Sequence, residues 1–303
     1  MPVDPASVPD FDDLPKVQDF PQSCTWGIFD QDGVKDKFGT LNFLTPEIVQ
    51  AAAKELAHQR PLQTPSLLSQ PAQAQNHRPL RPRPPATRSL AWDDEIDFNT
   101  QSSSQWDSLC HFLHQPTGLT YNGVKPEAEA FAEYADQKGI HYHPFQAHRI
   151  TVQDIESVAS HQNVDIRPGD VLLVRTGATE VLEAVSKNPS LLGKNSGEFA
   201  GVHGVEETVR WFWNKRLAAV AGDSIAFEAF PPLKDDGTPG APKDMYIHPH
   251  LLAMIGMPIG ELWDFAKLSR YCKEKGRYSF FLTSAPLNHP GLIGSPPNAL
   301  AIF

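Results

Sequence analysis

Apolar residues along the chain follow two patterns, one with helical spacing and one of short continuous runs. In TPEIVQAAAKELA (residues 45–57), Ile48, Val49, Ala52 and Leu56 share one face. Thr45 and Pro46 precede them as N-cap and first helical residue, so a helix is predicted. TVQDIESVASH (151–161) opens with Thr151 and Asp154 at capping-box spacing and predicts another. GVEETVRWFWNKR (204–216) and DFAKLSRYCKEKG (264–276) read as helices, as does HPHLLAMIG (248–256). Between them lie runs of strand length: DVLLVRTG (170–177), LAAVAGD (217–223), YSFFLTSAPL (278–287) and NALAIF (298–303). Strands alternating with helices predict one α/β domain.

Two segments depart from these patterns. Residues 1–25 read as a loose N-terminal arm ahead of a domain spanning 26–303. Residues 58–88 are rich in Pro, Gln and Arg, which forbids helix and central strand. This predicts an extended surface connection. No internal repeat is visible.

Composition narrows the class. The 303 residues are 40% hydrophobic and 20% charged, as in a soluble globular protein. A net charge of −10 argues against a nucleic-acid partner, whose phosphates require Lys and Arg stripes. No apolar run has the roughly 18 residues needed to span a bilayer, and the acidic, Pro-rich start lacks signal-peptide character. Three scattered cysteines form no disulfide framework, so a cytoplasmic location is expected.

The stretch FNTQSSSQWDSLCHFLH (98–114) carries the candidate chemistry. Asp107 and His111 place a carboxylate and an imidazole in one short loop, a pairing suited to metal binding and proton transfer. A turn aspartate and a surface histidine would look the same. Farther on, His248 and Glu261 bracket a helix and a Pro turn, with His250 close by as an alternative. Tyr121 and Asn122 could line a pocket or form an Asn-Gly turn. Asp223 ends an apolar strand, where α/β proteins place site residues, or caps the next turn. Ser102–Ser104 have no base partner that would make a nucleophile.

Together, WGIFDQDGVKDKFGTLNFLTPEIV, NTQSSSQWDSLCHF, GDVLLVRTG, AVAGDSIAFEAFP, HPHLLAMIGMPIGELWDF and FFLTSAPLNHPGLIGSPPNALAIF resemble the cyclase superfamily. Its characterised enzymes include bacterial kynurenine formamidase and isatin hydrolase. The resemblance runs from Trp26 to Phe303 and is closest to the longer branch. It implies a mixed central β-sheet flanked by helices, and a homodimer or homotetramer.

The superfamily's hydrolases carry a loop H-x-G-T-H-x-D-x-P-x-H, whose first two histidines and aspartate bind Zn²⁺ or Mn²⁺ and whose last histidine is an acid/base. Carried onto this chain, the two ligand histidines become Gln101 and Gln105, while Asp107 and His111 are retained. His248 and Glu261 match the later His and Glu. The resemblance thus implies His111, Asp107 and Glu261 as catalytic groups and Asp107, His248 and Glu261 as metal ligands. Gln101, Gln105, Trp106, Tyr121 and Asp223 would contact a small substrate of aromatic or apolar character. An amide oxygen is a hard, neutral donor that replaces imidazole poorly toward Zn²⁺. One divalent metal (Zn or Mn) and no metal at all therefore remain open. So do three functions: hydrolysis of an amide, lactone or cyclic imide; metal-independent cyclisation, dehydration or isomerisation; and non-catalytic binding of a small molecule.

Overall fold

The computed structural model describes residues 2–55, 99–101, 103–125, 148–187, 198–287 and 292–303, with the backbone of five two-residue strands between 66 and 97. The surface course expected for 58–88 otherwise lies outside the described residues.

Five strands make the central sheet: β1 (Gln105–Asp107), β2 (Val171–Val174), β3 (Ala219–Gly222), β4 (Ile259–Glu261) and β5 (Gly294–Ser295), in the order β5-β1-β4-β3-β2. β2, β3 and β4 run parallel, and β1 is antiparallel to both β4 and β5. The fold is therefore α/β with a mixed sheet. A second, three-stranded antiparallel sheet joins Ser66–Leu67, Ala299–Ile302 and Phe281–Ser284.

Consecutive strand residues point to opposite faces, and the central sheet separates two cores accordingly. Val220 and Ile259 join Val209, Phe212 and Trp213 of the helix Glu206–Asn214 and Leu251, Leu252 and Ile255 of the segment Pro249–Ile255. Ala221, next to Val220, joins Trp263, Phe265, Leu268 and Phe303 on the other side. The predicted helices form at Pro46–Ala53, Val152–His161, Glu206–Asn214 and Ala266–Lys275. At Val152–His161 the capping box is complete: Thr151 and Asp154 each bond the other's backbone N–H. The helix read at 248–256 is π-helical over Pro249–Ile255, a wide form that recurs at functional sites. It ends at Gly256 with φ 74°, where the Tyr121 ring packs too close for any Cβ.

The N-terminal segment is not a loose arm. Val8, Phe11 and Leu14 belong to the first core, and the Phe11 N–H donates to Asn214 Oδ1 at 2.8 Å. Arg216 donates to the carbonyls of Pro5 and Val8 and pairs with Asp10 at 2.8 Å. The three apolar residues in an acidic stretch are what bury it. Among the described residues no helix is long and apolar enough to cross a membrane.

Candidate active site

Strand parity decides what the QWD stretch presents. Gln105 and Asp107 are buried on one face of β1, and the half-buried Trp106 lies on the other. There Trp106 packs edge-on to Trp263 and donates from Nε1 to Ser284 Oγ at 2.8 Å. Trp106 is thus turned away from Asp107, which corrects its expected role as a substrate contact.

β4 lies beside β1 in antiparallel register, with Glu261 opposite Gln105. His248, at the start of the π-helical segment, reaches the same point. Ligand atoms of Asp107, His248 and Glu261, all buried, lie within 4.8 Å of one another. His250 belongs elsewhere: it stacks on Tyr246 with ring centroids 4.0 Å apart and shares a 2.5 Å hydrogen bond with Ser23. The choice between the two histidines falls on His248 by position.

Hydrogen bonds knit the cluster. His248 donates from Nε2 to Glu261 Oε1 at 2.9 Å and from Nδ1 to Glu228 Oε1 at 2.8 Å. The Phe227 N–H donates to Glu261 Oε1 at 2.8 Å. The Gln105 amide donates to Asp107 Oδ1 at 3.2 Å and Glu261 Oε2 at 3.1 Å. Gln101 Nε2 lies 2.6 Å from His111 Nδ1 and donates to Asp107 Oδ1 at 3.5 Å. The same amide nitrogen lies 3.2 Å from His111 Nε2, which is 3.9 Å from Asp107 Oδ1. His111 is the member open to solvent, with its side chain 25% exposed.

These contacts separate the protonation states. Burial pushes the His111 pKa down to about 4, so its imidazole is neutral at pH 7. Burial, and next the charge of Glu261, hold Asp107 well above the ordinary carboxylate range. Burial opposes charge on His248, but its hydrogen bonds to Glu228 and Glu261 prevail and hold it well above the ordinary imidazole value. Burial likewise opposes charge on Glu228, and its bonds from His248 and Tyr246 outweigh that, leaving it ionised.

Two other expected substrate contacts have different work. Asp223 is buried with both oxygens occupied: Oδ1 accepts from the Thr176 N–H and Oγ1, and Oδ2 from the Gly177 N–H. It caps the turn entering the helix Ala178–Lys187. Tyr121 is buried, and its hydroxyl donates to Asp36 Oδ2 at 3.3 Å in a knot with Asn122 and Asp30. Of the three serines, Ser102 lies outside the described residues, and Ser103 Oγ is buried without a hydrogen-bond partner. The residue that sequence reasoning missed is Glu228. Its only signal was a carboxylate inside the apolar run AFEAFP.

The donor set suits a divalent cation. Asp107 Oδ2 and Gln105 Oε1 are buried without hydrogen-bond partners, one on each of two neighbouring side chains of the cluster. Both are acceptors, and a cation is a partner that acceptors can share. One imidazole among three buried carboxylates leaves an excess of negative charge. A carboxylate behind Nδ1, leaving Nε2 aimed inward, is the usual support of a metal-binding histidine. A cleft of about 2270 Å³ lies elsewhere, lined by Ile48, Ile150, Leu172 and Phe280, and none of the cluster residues lines it. The convergence of titratable groups, and not the volume of that cleft, selects the cluster.

A family model described as "Putative cyclase" matches residues 32–229, more than half of the chain. Among solved structures, one described as a novel cyclase is 26% identical with a TM-score of 0.69, covering 92% of this chain and 99% of its own. Isatin hydrolase A from Ralstonia solanacearum is 15% identical with a TM-score of 0.50, covering 86% of this chain and 98% of its own, a likeness of fold. No curated protein matches the sequence significantly.

Proposed function

The chain belongs to the cyclase family, and from that premise we propose that it hydrolyses an amide, lactone or cyclic imide of a small organic molecule at the Asp107–His248–Glu261 cluster. One observation carries this reading: three buried ligand groups converge within 4.8 Å beside the partly exposed, neutral His111. The fold shared with a protein named isatin hydrolase supports the same reaction class.

Asp107, His248 and Glu261 would hold one divalent cation, Zn²⁺ or Mn²⁺, with Glu228 fixing the imidazole from behind. A cation held there supplies Lewis acidity toward a carbonyl oxygen and lowers the pKa of water. His111 starts neutral, so it acts first as a base, taking a proton from the water that attacks the carbonyl carbon. As the C–N or C–O bond breaks, the same imidazole returns that proton to the leaving nitrogen or oxygen. The Gln101 amide, lying against both ring nitrogens, holds the imidazole beside the cluster.

The position of Gln105 favours a second reading. Its amide already bridges Asp107 and Glu261, and Asp107 is held toward its neutral form. A neutral carboxyl beside a neutral imidazole is an acid/base pair for metal-independent dehydration, cyclisation or isomerisation.

Elemental analysis of protein purified without chelator separates the two. The hydrolase reading expects bound Zn or Mn, lost in Asp107→Asn, and ring opening or deacylation within a panel of cyclic imides, lactones and N-acyl aromatic amines. Metal-free protein that catalyses elimination or isomerisation in that panel would establish the second reading instead.

A further inference from the structure

Glu228 is fully buried, and its side chain bonds the cluster through His248. Its Oε1 accepts from both the backbone N–H of His248, at 3.0 Å, and the ring Nδ1, at 2.8 Å. Its Oε2 accepts from the Tyr246 N–H at 3.0 Å. One carboxylate therefore fixes the backbone entering the π-helical segment and the rotation of the imidazole at its start. The preceding residue does the same for Glu261, since the Phe227 N–H donates to Glu261 Oε1. Phe227 and Glu228 thus set two members of the cluster from one short piece of chain. That piece is anchored in turn, because the Ala229 N–H donates to the Val202 carbonyl at 2.9 Å.

The surroundings leave the carboxylate no freedom. A Cβ at position 204 would lie 2.5 Å from Glu228 Oε2, and one at 201 would lie 2.5 Å from its carbonyl carbon. Both positions are glycine. A fully buried carboxylate is costly to retain for packing alone, and Glu228 has no Arg or Lys partner among the ion pairs of the described residues.

We propose that Glu228 is the positioning residue of this site: it holds the His248 proton on Nδ1, so that Nε2 is the nitrogen presented to whatever Asp107 and Glu261 bind. The inference rests on the reading of Asp107, His248 and Glu261 as the functional cluster. Holding the other ring nitrogen fixes a ligand's tautomer and raises its basicity, and loss of such support typically costs about 10- to 100-fold in metal affinity.

The test compares the parent with Glu228→Gln and Gly204→Ala. The first keeps size and removes charge; the second keeps the charge and crowds Oε2. Two readouts are taken on full-length protein: Mn²⁺ and Zn²⁺ affinity by competition with a chelating dye, and the hydrogen-bonded Nδ1 proton of His248 in the metal-free NMR spectrum, assigned by its loss in His248→Gln. Folding is followed by thermal melting. The expected result is a metal affinity lower by about 10- to 100-fold in Glu228→Gln, a smaller loss in Gly204→Ala, and loss or marked shift of the Nδ1 proton in both, with each variant still folded. If Glu228→Gln does not fold, Gly204→Ala alone decides. If the parent binds no metal, the metal reading fails, and the Nδ1 proton still tests the positioning role. Unchanged affinity and an unchanged Nδ1 proton in the folded variants overturn the proposal.

Discussion

Gln105 and Glu261 face each other across paired antiparallel strands, and the Gln105 amide donates to Glu261 Oε2 at 3.1 Å. The same nitrogen reaches Asp107 Oδ1, so one neutral side chain lies between two carboxylates that would otherwise repel. Its oxygen is buried without a hydrogen-bond partner. Turning the amide over exchanges nitrogen for oxygen at almost no steric cost, and would present an acceptor to a cation in place of a donor to the acids. Gln105 is therefore suited to both a metal-free and a metal-loaded cluster, and substitutions there distinguish the two.

Gln105→Glu replaces the bridging donor with a third acid on the same face. In metal-free protein this should lower stability by about 3 kcal/mol, the scale of an uncompensated buried charge. Added Mn²⁺ should recover the loss and raise the melting temperature by more than it does in the parent. Denaturation with and without Mn²⁺ measures both effects. A variant as stable as the parent without metal would show that the Gln105 amide is not neutralising the acids.

His111→Ala should leave the fold intact and reduce turnover of the true substrate by about 100-fold or more, the scale of general acid–base catalysis. His114→Ala is the control, since His114 Nδ1 pairs with Thr117 Oγ1 at 3.0 Å within its own turn. Equal losses in the two variants would remove His111 from the proposed mechanism.

What the sequence disclosed follows from how local each signal is. The Thr151–Asp154 capping box and the apolar runs at β2 and β3 are short-range patterns, and the structure keeps them. Asp107, His248 and Glu261 were legible through the family's spacing, and the fold gathers them into one cluster. Trp106 was misread because the stretch reads as a loop in the sequence; as a strand, its period of two sends Trp106 opposite to Asp107. Asp223 and Tyr121 were undecided because a buried carboxylate or phenol looks the same whether its partners are backbone or ligand. Glu228 was invisible because its partner lies 20 residues away, across a loop no periodicity describes.

Two buried histidines should each make the metal-free fold sensitive to acid. Burial holds His111 and His250 at pKa values of about 4, against an ordinary 6.5. At these two sites the folded chain binds fewer protons than the unfolded chain between those values, so their share of stability falls as pH drops from 6.5 toward 4, while the raised carboxyls of Asp107 and Asp223 act with the opposite sign. His248 has the opposite sign: its contribution is complete below 6.5 and is lost as pH rises through its raised value. On acidification across this range His250→Gln should lose less of its urea midpoint than the parent does. An unchanged slope in that variant would show that His250 is not held neutral by the fold.

Phe11→Ala tests whether the N-terminal segment is part of the core. The ring is fully buried and lies under the Arg210 guanidinium, 4.7 Å from its centroid. Truncating a buried Phe costs about 3–5 kcal/mol. A cost below about 0.5 kcal/mol in urea denaturation, the range of ordinary surface changes, would mean the segment can leave without disturbing the domain.

Restoring imidazoles at both glutamines asks whether this loop is an altered metal loop. Gln105 points between Asp107 and Glu261, and Gln101 lies 3.5 Å from Asp107 and against His111, so both positions face the cluster. Gln101→His with Gln105→His would add two nitrogen donors beside Asp107. Imidazole binds Zn²⁺ more strongly than a neutral amide oxygen does. The double variant should therefore bind Zn²⁺ or Mn²⁺ much more tightly than the parent and be stabilised by it. A metal that binds only the folded state adds RT ln(1 + [L]/Kd), about 2.7 kcal/mol at 100 times Kd, which a melting curve resolves. The single variants separate the positions: Gln105→His should supply most of the gain, because Gln105 already touches two of the three ligand groups while Gln101 touches one. A folded double variant with no gain in affinity would mean that the two side chains do not converge on a common ion, and the placement of this loop in a metal site would fall with it.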